Sequence, residues 1–360
     1  MATKASKVLA LLRRSRAAAR RYDAGILRVV SRVLRLMLWS RFSEAEVFVW
    51  GLADPSLTGS DLRRYVSKEH QLAIQRTINP AHAAMAVEDK RLFHACCVAT
   101  GVPTPTQYAS LTRGYLCASG GDALSTAGEV EDFLDARLPQ SFVVKPAGGV
   151  YGRGVARFER VPGGWRDHGG RTSTSAALAS LLRERSMDDT LILQERLDNA
   201  PSIVALTGCD ALQTVRMVSF VDPSRGPRLL FATWKIIVGE SLTDHYAFGR
   251  TGNMLANVRL DDGTVERVQA AGPDAIGQVG VGQHPRTGRS FADFRLPDWA
   301  MARAAVLDAA LKFLPLIAVG WDVALTPDGP RIVEGNATFD PLHNAHGLGP
   351  IFLDAVTSLA

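Results

Sequence analysis

The stretch that most constrains this chain is residues 320–341, where acidic residues flank a strong turn signal. The turn sequence Thr-Pro-Asp-Gly at residues 326–329 separates two apolar runs, which predicts a β-hairpin. With pairing symmetric about Asp328, Asp322 would lie directly across from Glu334. Cross-strand partners project from the same face of a sheet. The spacing therefore predicts that the two carboxylates lie side by side.

The chemistry of this hairpin favours a divalent cation. Asn336, two residues beyond Glu334, shares its face if the strand stays regular. Two carboxylates held close together repel each other unless a cation or a proton lies between them. Mg²⁺, which prefers oxygen ligands, is the natural occupant of such a site. The alternative is that Asp322 and Glu334 are solvated strand residues without partners, and the hairpin alone leaves both interpretations open.

Length and composition indicate an ordinary globular protein with two or three subdomains. The chain has 360 residues, of which 46% are hydrophobic, enough to bury a sizeable core. No apolar run reaches the roughly 18 residues that a membrane-spanning helix needs, so we expect a soluble chain. The four cysteines lack the spacing of a metal site or of a CxxC pair. We therefore expect reduced thiols and a cytoplasmic location.

Positive charge is concentrated at the N-terminus. Residues 1–41 contain eleven Lys or Arg and one acid, a net charge of +10, which leaves −5 for the rest of a chain whose total is +5. Apolar residues recur at helical spacing between arginines and predict an amphipathic basic helix: Ile26, Leu27, Val30, Val33, Leu34 and Met37.

Three interpretations of this basic helix stay open. It could dock on its own domain, lie on anionic lipid or bind nucleic acid as an arm. Docking is favoured because a basic face is usually a solvated face. A weak contact with a membrane surface is the second alternative, and we do not expect nucleic acid as a partner.

A glycine-rich loop follows a short apolar strand at residues 141–145. The strand ends in Lys145, and the loop at residues 146–154 contains four glycines. Such a loop can fold its N–H groups over phosphates, and the lysine supplies a point charge for them. It is not a Walker A loop, in which the lysine follows the glycines and opens a helix. A plain hairpin turn is the alternative.

Three further strands are predicted in the second half of the chain. Residues 190–197 form an apolar strand with a polar end, and residues 213–221 and 231–238 each place one cation on an apolar face. These cations are Arg216 and Lys235. A buried cation is costly without an anionic partner. The alternative is that either side chain extends to solvent at a sheet edge.

The order and spacing of these motifs resemble the ATP-grasp superfamily. The ordered set is Asp89-Lys90, Lys145 with its glycine-rich loop, residues 194–197 (Gln-Glu-Arg-Leu), Arg216, Asp322 and residues 334–336 (Glu-Gly-Asn). More narrowly, residues 244–263, 284–288 and 320–336 resemble the sugar-transfer-associated branch, which is related to α-L-glutamate ligases.

The resemblance covers roughly residues 85–350 and implies an α+β fold in which two α+β subdomains clamp a nucleotide. It predicts a basic helical region at residues 1–84, an ATP-grasp domain at 85–360 and a lid subdomain at roughly 139–196.

The resemblance also implies a role for each matched position. The phosphate lysines would be Lys90 and Lys145, and the lid glycines Gly148, Gly149, Gly152 and Gly154. The adenine edge would be held by the strand end at Gln194, Glu195 and Leu197, with the backbone of the last two making the contacts. The Mg²⁺ ligands would be Asp322, Glu334 and Asn336, and the catalytic cations Arg216 and Lys235. Weaker candidates for acceptor contacts are Arg250, His245 and His343, with Lys235 as a further one; His245 stands where the branch usually has asparagine.

The function that these residues imply is an ATP- and Mg²⁺-dependent ligase. A carboxylate would attack the γ-phosphate to give an acyl phosphate, which an amine then opens. The substrates would be small molecules or peptides, in envelope-sugar or natural-product biosynthesis. A kinase that phosphorylates a hydroxyl group and a non-catalytic nucleotide-binding protein are the two alternatives.

Overall fold

A computed structural model describes residues 4–148 and 154–359 of the chain. It is an α+β structure with two antiparallel sheets, as the sequence predicts. Gly149 and Gly152, two of the predicted lid glycines, lie outside the described residues. Among the helices in the described ranges, none is long and apolar enough to cross a membrane.

Seven helices occupy the first hundred residues. They are α1 (Lys4–Arg21), α2 (Ile26–Leu38), α3 (Glu44–Val49), α4 (Gly59–Leu62), α5 (Lys68–Ile78), α6 (Ala81–Glu88) and α7 (Lys90–Thr100). The Asp89 side chain accepts a hydrogen bond from the backbone N–H of Arg91 and so caps α7. This cap places Lys90 at the first position of the helix. Gly101, in the left-handed conformation, ends α7.

The first sheet has eight strands in the order β3-β2-β1-β8-β4-β5-β6-β7. The strands are β1 (Gln107–Thr112), β2 (Tyr115–Ala118), β3 (Ala123–Leu124), β4 (Ser141–Pro146), β5 (Ala156–Val161), β6 (Gly164–Asp167), β7 (Thr172–Ser173) and β8 (Leu191–Glu195). Helices α8 (Ala127–Arg137) and α9 (Ser175–Arg185) pack on it and bury a core that includes Phe142 and Trp165. The predicted lid range of 139–196 overlaps the later strands of this sheet.

The second sheet has seven strands in the order β13-β12-β11-β10-β9-β14-β15. They are β9 (Thr214–Asp222), β10 (Gly226–Ile236), β11 (Met254–Val258), β12 (Val265–Ala271), β13 (Gln278–Gly280), β14 (Ala318–Thr326) and β15 (Gly329–Asn336). The remaining elements are α10 (Pro201–Thr207), α11 (Trp299–Lys312), α12 (Gly349–Thr357) and 3₁₀ turns at Ala247–Gly249, Pro273–Ala275 and Leu342–His346.

Both faces of the second sheet are covered. Met217 and Trp321 pack with residues of α7 and α11 on one face, whereas Val218 and Phe220 pack with residues of α12 on the other. Strands β9 and β14 are consequently buried along their whole length. A polar side chain on either strand is thus held in a rigid, largely dry environment.

The basic helix α2 docks on the chain's own body, which was the favoured interpretation. Its buried residues are Val29, Val33 and Leu36, and their core cluster also includes Tyr246 and Ile276 near the second sheet. The predicted apolar stripe was wrong in part. Leu27 is 82% exposed and Leu34 is 41% exposed, because the face that docks is centred on Val29 and Val33.

The predicted boundary between residues 84 and 85 falls within α6, so the helical region runs into the main body without a break in secondary structure. The division of the chain into domains stays a prediction.

Candidate active site

The β14–β15 hairpin brings Asp322 and Glu334 side by side, as the sequence predicts. The turn itself pairs Thr326 with Gly329, and this register continued along the strands would place Val333 opposite Asp322. A β-bulge between Asp322 and the following residue leaves Val333 unpaired and moves Glu334 into position. The predicted pairing is therefore observed, but it depends on the bulge.

Asp322 is held by two buried cations from neighbouring strands. Arg216 on β9 donates from Nε to Asp322 Oδ1 at 2.7 Å and from a terminal nitrogen to Oδ2 at 3.0 Å. Lys235 on β10 places its Nζ 3.2 Å from Asp322 Oδ2 and 3.2 Å from Asp244 Oδ1. The two cations that the sequence analysis left without partners therefore have anionic partners within the chain.

The charge states in this group follow from burial and pairing. Burial by itself would raise the pKa of Asp322, but the adjacent Arg216 and Lys235 outweigh it and hold the pKa below the usual range. Burial would lower the pKa of Arg216 and of Lys235, and the carboxylates around them outweigh this effect, so both pKa values are raised. All three groups are thus ionised at neutral pH.

Two further cations, Lys90 and Lys145, lie near Glu334 of the hairpin. Lys90 Nζ, at the start of α7, lies 3.6 Å from Glu334 Oε2. Lys145, at the end of β4 in the first sheet, is 8% exposed and makes no ion pair with any residue that the structure describes. Burial lowers the pKa of Lys145 to about 8, and the nearby Glu334 only partly counters that effect. Lys145 is therefore the least compensated cation of the group.

A cleft of about 520 Å³ joins these residues. Its volume lies within the ≈300–1,000 Å³ range of small-molecule sites. Its lining comes from both sheets and includes every described residue that was predicted to bind phosphate, adenine or Mg²⁺ or to act as a catalytic cation, except Gly154: Lys90, Lys145, Gly148, Gln194, Glu195, Leu197, Arg216, Lys235, Asp322, Glu334 and Asn336. The cleft brings residues as far apart in sequence as Lys90 and Asn336 into one site.

Comparison with protein families identifies this arrangement. The family described as sugar-transfer associated ATP-grasp matches residues 69–348, more than three quarters of the chain. The chain belongs to this ATP-grasp family. The matched residues contain both sheets and all of the cleft lining except Lys68, whereas α1 to α4 precede the match. A search of curated proteins found no match to this sequence.

Solved structures show distant similarity to this ATP-grasp chain. The D-alanine-D-alanine ligase from Coxiella burnetii has 12% identity and a TM-score of 0.41, over 81% of this chain and 64% of that one. The L-amino acid ligase from Bacillus licheniformis has 10% identity and a TM-score of 0.42, over 82% and 56%. Biotin carboxylase from Campylobacter jejuni has 12% identity and a TM-score of 0.43, over 78% and 48%. This chain thus spans about half to two thirds of their lengths.

The predicted lid of the ATP-grasp chain is described at its two ends. Gly148 lines the cleft. Gly154 has a φ of +74°, and a Cβ there would lie 3.0 Å from Pro146 Cγ, so this position favours glycine. Its carbonyl accepts a hydrogen bond from Arg185 at 2.9 Å. Gly154 therefore has a structural role at the base of the loop.

The strand end predicted to hold adenine lies at the cleft wall. The backbone N–H of Glu195 donates to Thr106 O at 2.8 Å, so a ligand could use only its carbonyl oxygen. The Glu195 carboxylate in turn accepts from the N–H of Thr106 at 2.8 Å. The N–H of Leu197 makes no backbone hydrogen bond to any residue in the described ranges. One acceptor at Glu195 and one donor at Leu197 match the amino donor and the ring-nitrogen acceptor on the base-pairing edge of adenine.

The oxygen-donor set fits Mg²⁺, with unequal contributions. The Asn336 amide nitrogen donates to Gly320 O at 3.2 Å, which leaves its side-chain oxygen for a metal. Glu334 is 28% exposed at its side chain and has Lys90 at 3.6 Å. Asp322 has about four lone-pair sites, as any carboxylate does; Arg216 and Lys235 occupy three of them. Glu334 and Asn336 are thus the better ligands, because Arg216 and Lys235 already engage the oxygens of Asp322.

A side pocket of about 260 Å³ adjoins the cleft. The two cavities share His245 and Tyr246. The side pocket also has aromatic walls, formed by Phe248 and by Trp50, which directly follows α3. Trp50 stacks with Tyr246 at a ring-centroid distance of 6.0 Å. Arg250 also lines the pocket and makes no ion pair with a described residue. Two weaker acceptor candidates, His245 and Arg250, therefore lie together.

His343 does not reach either cavity, so its predicted acceptor contact is wrong. Its ring is fully buried and packs on Phe231, with centroids 4.1 Å apart. Burial lowers its pKa to about 3, which keeps the ring neutral.

Sequence analysis missed several carboxylates that line the cleft, among them Asp244 and Asp340. Asp244 pairs with Lys235 and accepts two hydrogen bonds from Thr214, at 2.8 and 2.6 Å. Asp340 pairs with Lys68 of α5 at 2.6 Å. Asp244 lies in a stretch quoted for the resemblance, so its position was a usable signal. The ion pair of Asp340 with Lys68 joins segments that are 272 positions apart, so no local sequence pattern indicated it.

Proposed function

We propose that the chain is an ATP- and Mg²⁺-dependent ligase that joins a carboxylate to an amine through an acyl phosphate. One observation carries the proposal. Four cations, Lys90, Lys145, Arg216 and Lys235, gather with Asp322 and Glu334 in a cleft between two sheets of an ATP-grasp chain. This is the charge arrangement that a polyphosphate requires.

The proposed contribution of the cations is positioning and charge neutralisation. Transfer of a γ-phosphoryl group depends mainly on holding the reactants in line and stabilising the developing charge. Lys90, at the start of α7, and Lys145, at the end of β4, both line the cleft and would bind the phosphates. Arg216 and Lys235 are already fixed by Asp322, so they would not reorganise during the reaction.

Glu334 and Asn336 would hold Mg²⁺, with a smaller contribution from Asp322. When bound, the ion would neutralise charge on the phosphate oxygens and orient them for transfer. The cations of the chain would act beside the ion. Lys90 lies 3.6 Å from Glu334, close enough for Lys90 and an ion bound to Glu334 to contact the same phosphate.

The proposed reaction has two steps. A carboxylate oxygen attacks the γ-phosphorus, the bond to the bridging oxygen breaks and ADP leaves with that electron pair. The amine nitrogen then attacks the acyl carbon, inorganic phosphate leaves and the nitrogen loses a proton. The resemblance of residues 244–263 to the glutamate-ligase-related branch supports a carboxylate as the acceptor of the phosphoryl group.

The side pocket is the proposed position of the second substrate. It continues the cleft at His245 and Asp340, on the side where Lys235 and Asp244 lie. Its aromatic walls suit a ring or an apolar group, and Arg250 suits an anionic group on the same molecule. Trp50 would bring the N-terminal helices into substrate binding.

The experiment that tests the activity is a screen for ADP release. The purified chain is incubated with ATP, Mg²⁺ and pools of amino acids, amino sugars and short peptides, and products are identified by mass spectrometry. ADP formation that requires both a carboxylate and an amine, with an amide product, supports the ligase. A stable phosphorylated alcohol would show a kinase instead, and no turnover with any pool would favour the non-catalytic alternative.

A variant tests the assignment of Glu334. Glu334→Gln removes one charge with little change in volume, so we expect ATP turnover and Mg²⁺-dependent ATP binding to be lost while the free energy of unfolding stays unchanged. Glu184→Gln, on the exposed side of α9, is the matched control and should behave as wild type. Mg²⁺-dependent ATP binding that survives in Glu334→Gln would contradict the assignment.

A further inference from the structure

The first two helices expose an unusual amount of apolar surface. Seven of the eighteen large apolar side chains that are exposed in the described ranges lie within residues 8–39: Val8, Leu9, Leu12, Leu27, Leu34, Leu38 and Trp39. Trp39 is 75% exposed and Leu38 is 69% exposed. Scattered single exposures are normal, but a concentration of this kind marks an interaction surface.

The exposed residues of α2 form one stripe. At about 100° per residue, Leu27, Leu34 and Leu38 fall within about 40° of one another around the helix. The residues of α2 that dock on the body, Val29 and Val33 among them, fall on the opposite side. Helix α2 is therefore apolar on two faces, one facing the protein core and one facing solvent.

Arginines border this outer stripe. Arg28 and Arg35 of α2 are exposed beside the leucines, and Arg13, Arg16 and Arg20 are exposed on the outer side of α1. Residues 1–41 contain one acid, Asp23, against eleven Lys or Arg. The outer surface of the α1–α2 pair thus combines apolar side chains with positive charge that the chain itself leaves largely unneutralised.

We propose that this outer surface docks on an anionic lipid bilayer. Leucine and tryptophan side chains would enter the boundary between headgroups and acyl chains, and the arginines beside them would pair with anionic headgroups. Trp39, directly after α2, suits this boundary because an indole ring has an apolar body and a polar N–H group. The helices would lie on the membrane and not cross it, in agreement with their length and composition.

Charge complementarity favours lipid over other occupants. A second copy of the chain would bring two arginine-rich surfaces together, and like charges in contact repel. A nucleic acid would pair with the arginines but would leave the leucine stripe exposed to water. An anionic bilayer satisfies both parts of the surface at once.

The test is vesicle binding by the full chain, with two readouts. Vesicles of phosphatidylcholine alone are compared with an equimolar mixture of phosphatidylcholine and phosphatidylglycerol, by co-sedimentation and by tryptophan fluorescence. The other five tryptophans are at most 5% exposed, so a blue shift of the emission on adding vesicles would report Trp39. We expect binding to the anionic vesicles only, with a blue shift, and release by salt.

Matched variants separate the two parts of the surface. Each arginine near an anionic surface contributes roughly fivefold in affinity, so Arg28→Glu/Arg35→Glu should weaken binding by at least about 25-fold. Leu34→Ser/Leu38→Ser should weaken binding, and Trp39→Phe should abolish the blue shift while largely preserving binding. The controls are Arg303→Glu and Leu311→Ser, exposed positions of α11 that should change nothing.

Several results would overturn the proposal. These are equal binding to neutral and anionic vesicles, an emission spectrum that vesicles do not shift, and variants of α2 that bind as well as the α11 controls. Self-association of the chain without vesicles, abolished by Leu34→Ser/Leu38→Ser, would show that a second copy covers the surface. ATP turnover measured on the same variants should match wild type, which distinguishes a failure here from a failure of the proposed ligase activity.

Discussion

Replacing Asp322 by asparagine should destabilise the protein as well as inactivate it. The side chain is 4% exposed, is the main counter-ion of Arg216 and shares Lys235 with Asp244; the two cations are 9% and 7% exposed. Asp322→Asn keeps the shape of the side chain but removes the negative charge. It also replaces one oxygen by an amide nitrogen, which donates and so would face other donors.

The magnitude follows from which contacts are lost. Removing one partner of a buried ion pair costs about 3–5 kcal/mol because the remaining charge is left uncompensated. Arg216 donates to both carboxylate oxygens, at 2.7 and 3.0 Å, and would keep only one acceptor, which carries no charge. Lys235 would keep Asp244 at 3.2 Å, so its part of the cost is smaller. We therefore expect a loss of about 3 kcal/mol in the free energy of unfolding.

Urea unfolding followed by circular dichroism measures this loss. The control is Glu334→Gln, on the adjacent strand, where a partly exposed carboxylate should contribute no more than about 1 kcal/mol. The double variant Arg216→Gln/Asp322→Asn removes both charges of the pair and should be more stable than Asp322→Asn alone. A free energy of unfolding for Asp322→Asn within about 1 kcal/mol of wild type would refute this reasoning, because a neighbour of comparable strength would then compensate Arg216.

Two further predictions concern titratable groups. Burial lowers the pKa of Lys145 to about 8, so ATP affinity should fall as pH rises through that value. Lys145→Ala should weaken ATP binding by about 2 kcal/mol and remove the pH dependence, as measured by calorimetry; unchanged affinity would make the loop a structural turn. Burial lowers the pKa values of His343 and His346 to about 3, from an ordinary value of 6.5. The unfolded chain then binds more protons, so the free energy of unfolding should fall as pH decreases below 6.5, by up to about 2.7 kcal/mol per pH unit for the pair. The double variant His343→Gln/His346→Gln should lose most of this dependence of the free energy of unfolding on pH, as measured by urea unfolding. An equal pH dependence in the variant would contradict the account.

The sequence predicted the hairpin because its signals are local. The Thr-Pro-Asp-Gly turn and the flanking apolar runs define the two strands within 20 residues. The bulge at Val333 was not predictable from that pattern, because nothing in the alternation of side chains marks the extra residue. The pairing of Asp322 with Glu334 was reached by assuming symmetry about Asp328, whereas the observed turn is centred between Pro327 and Asp328.

The anionic partners of Arg216 and Lys235 could not be predicted from the sequence, for a different reason. Arg216 and Asp322 are 106 positions apart, and their contact depends on β14 pairing with β9, a pairing between non-consecutive strands. Similarly, which face of α2 docks depends on the part of the protein against which the helix packs. The helical periodicity fixed the existence of the helix, but Leu27 and Val29 could not be assigned to outside and inside by periodicity alone.

The two acids of the hairpin thus differ in what they do, and the difference explains the behaviour of Lys145. Asp322 balances Arg216 and Lys235, so those cations are charged before any ligand arrives. Glu334 is the other acid of the hairpin, and it compensates the nearby Lys145 incompletely, so burial lowers the pKa of Lys145 to about 8. An arriving polyphosphate would supply the missing counter-charge and raise that pKa. ATP binding near pH 8 should therefore take up a proton at Lys145.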